Sequence, residues 1–169
     1  MAGLSSLNSL AHDAAREAFL RCCGSSRWAD AMVRRRPFKT SEELLAAADE
    51  TWQKLSKADF LEAFSHHPKI GGKDALRAKF AQTRDWAQGE QAGARAASDE
   101  VLDALAKGND DYEKRFGYIF IVCATGKSAA EMLARLRSRI ENEPSQELAI
   151  AAGEQAKITA LRLKKLVAP

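Results

Sequence analysis

The chain of 169 residues is short of everything that breaks helices or staples small folds. It has only 4 Pro and 10 Gly. β-Branched residues are sparse beside abundant alanine, a balance that favours helices over sheets. Cysteine is limited to Cys22, Cys23 and Cys123. An odd count, two of them adjacent and no C-x-x-C spacing, argues against a disulfide framework or a zinc site and fits a reducing, cytoplasmic compartment. No apolar run approaches the roughly 18–20 residues of a membrane span, so no transmembrane segment is expected. Charge of one sign is not in surplus. The 26 Lys and Arg against 23 Asp and Glu leave +3, which makes no electrostatic case for nucleic acid or an anionic membrane surface. The N-terminal segment lacks a basic stretch followed by an apolar one, so no signal peptide is expected, and Val167-Ala168-Pro169 is not expected to act as a peroxisomal or ER address. What is present is ordinary for a folded domain: 46% hydrophobic and 29% charged residues, in a chain long enough to bury a core without staples.

Helical periodicity recurs along the chain. Asp13 to Cys23 places Ala14, Ala18 and Cys22 on one side, with Gly24 as a stop. Ser26 is read as the cap of a helix to Arg35, which Arg36-Pro37-Phe38 must break. Ser41 caps a helix bearing Leu44, Leu45, Ala48 and Trp52. Ser56 followed by Asp59 opens another, with Phe60, Leu61 and Phe64 apolar, ended by His67-Pro68. The glycines after Lys69 predict a loop, and a short helix carries Leu76 and Phe80. A weakly patterned helix is expected over 86–97. Ser98-Asp99-Glu100 starts a clearer one ending near Gly117. Tyr118-Ile119-Phe120-Ile121-Val122-Cys123 is a continuous apolar run, too short for a buried helix and too isolated for a sheet, and is expected to thread the core as an extended segment. Ser128 caps a helix to about Asn142, and Pro144-Ser145 introduces the last, to about Val167. No repeat or linker divides the chain. The expected fold is an all-α, compact single domain over 1–169, a bundle of about eight helices with one short extended segment.

Three places carry polar groups that a folding pattern does not ask for. His67 closes a helix before a proline, and two glycines follow closely. An imidazole there suits general acid–base chemistry near neutral pH, and equally suits a histidine bonded to the last helical carbonyls. His66 is read as its solvent-facing neighbour, and His12 as a surface residue. On the last helix, Leu148, Ala151, Gln155, Ile158, Arg162 and Leu166 are read as one face. A guanidinium between Ile158 and Leu166 calls for a buried carboxylate or a bound anion, unless it snorkels to solvent. Glu90-Gln91, beside Trp86, pairs a carboxylate with an amide that suits a ureide edge, or forms a solvated helix face. Two further signals fail. Ala124-Thr125-Gly126-Lys127-Ser128 ends like a phosphate loop, but Ile121 stands where its first glycine belongs. Arg34-Arg35-Arg36 is too short for a nucleic-acid patch and reads as a solvated helix end. Cys22-Cys23 reads as packing.

An ordered set of short motifs gives the chain a family resemblance. It comprises Trp28, Arg36-Pro37-Phe38, His67-Pro68-Lys69-Ile70-Gly71, Glu90-Gln91-Ala92, Arg115-Phe116-Gly117, Phe120-Ile121-Val122-Cys123-Ala124, Arg135-Leu136, Arg137-Ser138-Arg139, Lys157-Ile158 and Leu161-Arg162-Leu163. In that order, over nearly the whole chain, the set resembles the 2-oxo-4-hydroxy-4-carboxy-5-ureidoimidazoline (OHCU) decarboxylase family. The resemblance implies an all-α, cofactor-free carboxy-lyase, usually a homodimer, that yields (S)-allantoin and works after urate oxidase and hydroxyisourate hydrolase. It implies His67 as the catalytic acid/base, with Pro68 shaping the pocket. Glu90 and Gln91 contact and orient the substrate, Ile119, Phe120, Ile121, Val122 and Cys123 line the pocket with backbone groups, and Arg162 holds the anionic or ureido end. Ala87 stands where the family often has serine, so one polar contact is altered. No fused transthyretin-like hydrolase domain is expected. A same-scaffold lyase acting on another ureide, and a non-catalytic helical interaction module, are the alternatives.

Overall fold

The computed structural model describes residues 3–69, 72, 74–78, 80 and 98–169. Eight helices have defined bounds: α1 (Leu4–Ser9), α2 (His12–Cys22), α3 (Ser26–Arg35), α4 (Ser41–Gln53), α5 (Lys57–Ser65), α6 (Asp99–Phe116), α7 (Ala129–Arg139) and α8 (Pro144–Leu166). Residues 74–78 are also helical, and no strand occurs among the described residues. The expected all-α class is therefore borne out. The helix expected over 86–97 lies outside the described residues. Among the described residues no helix is long and apolar enough to cross a membrane.

The chain forms two compact units. The first comprises residues up to His67 together with Ile150–Pro169; the second is Pro68–Ala149. In the first, α3 packs against α2, α4 and α5, because its Trp28, Ala29 and Met32 are wholly buried. Phe19 meets Trp28 edge to face at 5.8 Å. Both indole N–H groups are satisfied, Trp28 on the Ala48 carbonyl at 3.1 Å and Trp52 on the Ala152 carbonyl at 2.9 Å, so the rings are buried without an orphan donor.

Local chemistry sets the helix ends. Ser56 and Asp59 form a capping box at the start of α5, and Ser98 and Ser128 cap α6 and α7, as the spacing predicts. Two caps fall one residue earlier than expected. Ser25, not Ser26, accepts from the Trp28 N–H, because the Ser26 N–H and hydroxyl are both held by the Glu62 carboxylate. Thr40, not Ser41, accepts from the Glu43 N–H. On α2, Ala15 rather than Ala14 is buried. In the arginine run Arg34 and Arg35 are exposed, as expected of a solvated helix end, but Arg35 and Arg36 also have partners. Arg35 reaches the Ala47 carbonyl and Glu50, and Arg36 donates to the Leu7 and Leu10 carbonyls at the end of α1.

In the second unit, α6 packs on α7 around Leu76, Leu102, Leu105, Met132, Leu133 and Leu136. α6 stops at Gly117, whose φ of 85° lies in the left-handed region that glycine enters without penalty. The chain then leaves regular structure at 119–124. Phe120, Val122 and Ala124 pack on the α6–α7 core, while Ile121 and Cys123 are buried. That alternation is the period of an extended segment, as the apolar run predicts.

Candidate active site

His67 owes its position to the way α5 ends. Ala63 and Phe64 anchor the helix in the core. The backbone then tightens: the His66 N–H donates to the Ala63 carbonyl and the His67 N–H to the Phe64 carbonyl, each at 3.2 Å. Pro68 prevents a further turn. His66 is exposed, as expected, yet its ring is seated on Gly24. A Cβ at position 24 would lie 2.5 Å from the His66 Cγ, so only glycine leaves room for this corner.

The His67 ring is half-buried and does not turn to the helical carbonyls. Its Nε2 lies 2.5 Å from the Oε1 of Gln155. Gln155 is wholly buried, and its Nε2 donates to the Thr159 hydroxyl at 3.1 Å. Burial holds the His67 pKa below its ordinary 6.5; the Gln155 hydrogen bond opposes this, and the Arg162 and His66 charges add to the lowering. The imidazole is therefore biased to its neutral form.

Arg162 shares the first unit with His67, close enough for its charge to act on the ring. It does not lie on a buried stripe. The buried residues of α8 are Glu147, Ala151, Ala152, Glu154, Gln155, Thr159 and Leu163, so the inward line passes through Leu163 rather than Arg162. Arg162 is exposed; its Nη1 reaches the Cys22 carbonyl at 3.4 Å, and among the described residues its other donors meet no partner, so they can meet an anion. Burial pushes the Cys22 and Cys23 thiols up to about 11, which favours their protonated form at neutral pH.

The second unit fixes Ile119–Cys123. Arg139 Nη1 donates to the Ile121 carbonyl at 2.7 Å, and the Lys127 ammonium donates to the Cys123 carbonyl at 2.6 Å. The Arg139 guanidinium also lies 4.5 Å from the centre of the Phe120 ring. Arg139 is held by the Glu147 carboxylate, through Nη2 at 2.6 Å and Nε at 2.9 Å. Glu147 further accepts from the Tyr112 hydroxyl and from Asn142 Nδ2 at 3.1 Å, so a fully buried carboxylate has its lone pairs occupied. Burial and the bond to Glu147 raise the Tyr112 pKa far beyond its ordinary value, which keeps the phenol a donor. Sequence reading missed Glu147 and Thr159, and gave Gln155 a place on the face of α8 but no role. The only signal was the recurrence of polar residues among the inward positions of α8.

Pro68 is exposed at the start of the second unit. Ala87, Glu90 and Gln91 lie outside the described residues. Among the described residues no three of His, Cys, Asp and Glu are grouped to hold a metal ion.

Comparison with known proteins accords with this chemistry. The family model for OHCU decarboxylase matches residues 8–164. The "Uric acid degradation bifunctional protein TTL" of Arabidopsis thaliana is 43% identical over 147 residues, covering 86% of this chain, which spans 45% of that protein's length. The "2-oxo-4-hydroxy-4-carboxy-5-ureidoimidazoline decarboxylase" of Amia calva is 36% identical, with 78% of this chain and 75% of that protein covered. A solved OHCU decarboxylase, crystallised in the presence of (S)-allantoin, is 40% identical with a TM-score of 0.74, covering 91% of this chain and 99% of that one. The family resemblance of the ordered motifs is thereby borne out, and the chain belongs to the OHCU decarboxylase family.

Proposed function

We propose that the chain is a carboxy-lyase that converts OHCU to (S)-allantoin and CO2 in urate degradation. The observation that carries this reading is His67: a half-buried histidine, oriented through one ring nitrogen by a buried amide, in a chain 40% identical to a decarboxylase solved with (S)-allantoin.

The chemistry suits such a site. The carbon that loses its carboxylate adjoins a ring C=N bond, so the electron pair released with CO2 enters that bond and its nitrogen takes up a proton. The 4-hydroxyl gives up its proton as it becomes the carbonyl, and the neighbouring ring carbon gains one on a single face. The protein must hold the carboxylate out of the ring plane and manage these transfers. His67, neutral at rest, takes the hydroxyl proton and returns it to carbon. Arg162 faces the carboxylate or ureido oxygens, Glu90 and Gln91 orient the ureido N–H groups with Ala87 in place of a polar contact, and Pro68 and the backbone of Ile119–Cys123 form walls. No cofactor is called for. The same reading makes 1–169 one functional domain, a cytoplasmic homodimer, and a successor to urate oxidase and hydroxyisourate hydrolase.

The test starts from urate with those two enzymes and adds this protein. Optically active allantoin forming faster than the spontaneous racemic background supports the reading; an unchanged rate and racemic product overturn it. His67→Ala should lower turnover by about 10²–10⁴-fold while keeping the far-ultraviolet dichroism of the parent.

A further inference from the structure

We infer that Gln155, held from behind by Thr159, is a positioning residue that sets which nitrogen of His67 carries the proton. The inference deepens the reading of His67 as the acid/base and rests on it.

An amide oxygen only accepts hydrogen bonds and an amide nitrogen only donates. Gln155 is wholly buried, so turning its amide the wrong way would strand polar atoms away from water, at a cost. Its nitrogen meets the Thr159 hydroxyl and its oxygen meets His67 Nε2. With the amide nitrogen 3.1 Å from the Thr159 oxygen, the hydroxyl accepts from Gln155. The amide oxygen then faces the ring at 2.5 Å, where only an N–H can meet it. His67 Nε2 carries the proton, and Nδ1 holds the lone pair that meets a substrate proton.

The charged and titratable groups around this relay act on its ends. Arg162 on α8 and His66 on α5 oppose a charged His67. Arg162 also acts on Cys22 and Cys23, and Glu62 of α5 acts on Cys23. None of them exchanges the donor and acceptor roles within the relay, so the tautomer follows from Thr159 and Gln155.

The experiment uses the full chain labelled with ¹⁵N, with His67 resonances assigned against His67→Asn. Two-bond ¹H–¹⁵N correlations near neutral pH should give the Nε2–H tautomer. Thr159→Val releases the amide. The Nδ1–H form should appear and kcat should fall about tenfold or more with KM nearly kept, the range expected when acid–base alignment is lost. Thr159→Ser, which keeps the hydroxyl, should restore both. Gln155→Glu places a carboxylate on Nε2 and should move the acid limb of the kcat/KM profile upward by about one pH unit or more. A role in packing alone would change thermal unfolding in these variants without moving tautomer or profile. The inference is overturned if the wild-type ring is Nδ1–H, or if Thr159→Val keeps both the Nε2–H form and the parent profile. The spectra need no substrate. The expected tautomer in a protein that forms no allantoin would sink the proposed function and leave the relay standing.

Discussion

At His67, burial and the Arg162 charge act in the same direction, and the result is a pH dependence of definite sign. The folded-state pKa lies below 6.5. Between that value and 6.5 the unfolded chain binds a proton that the folded chain resists. Stability therefore rises with pH across this window; it is fully present above 6.5 and is lost as pH falls through the folded value. Urea midpoints between about pH 5 and 8 should drop on the acid side, and His67→Asn should flatten that slope. Gly24 makes a second residue-scale prediction. Gly24→Ala puts a methyl 2.5 Å from the His66 Cγ. The corner must shift, and allantoin formation should fall while helix content stays near that of the parent. His67 was legible in the sequence because a helix end, a proline and nearby glycines converge on it. Thr159 was not, because a threonine in a helix looks alike whether it faces solvent or the core, and Gln155 was placed on a face of α8 without its bond to His67 being legible.

The elements were read more securely where caps are unambiguous. Ser56 with Asp59, Ser98 and Ser128 start their helices as predicted. The Ser25-Ser26 and Thr40-Ser41 doublets offer two hydroxyls one residue apart, and only tertiary partners such as Glu62 decide between them. α8 was misread in rotation for a related reason. In an alanine-rich helix apolar contrast is low, and its inward side chains include Glu147, Gln155 and Thr159. α1 was not anticipated; a six-residue turn rich in serine has little period to detect. The Arg139–Glu147 pair gives the test at this scale. Breaking a buried pair from one side leaves a charge without its counter-ion, so Arg139→Met should cost about 3–5 kcal/mol in urea unfolding. Adding Glu147→Leu should recover part of that loss.

For the whole molecule, the family model at 8–164 runs through both compact units, and α8 contributes residues to each. Melting α8 removes packing from both units, so a single cooperative transition is expected. Tryptophan emission, dominated in the first unit by Trp28 and Trp52, and near-ultraviolet dichroism from Tyr112 and Tyr118 should change together in urea. Separate midpoints would mean two folding domains. The proposed homodimer should scatter light as twice the 18.5 kDa chain; the mass of one chain would remove it.

The three buried thiols also make the chain its own clock. Burial holds the Cys23 pKa near 11. At neutral pH the closed protein therefore offers a few hundredfold less thiolate than an ordinary cysteine with a pKa of about 8.5. An aromatic disulfide reagent should consume Cys22 and Cys23 only as fast as the chain opens. Slower labelling with a bound product analogue would time how far ligand closes the histidine corner, with no probe attached.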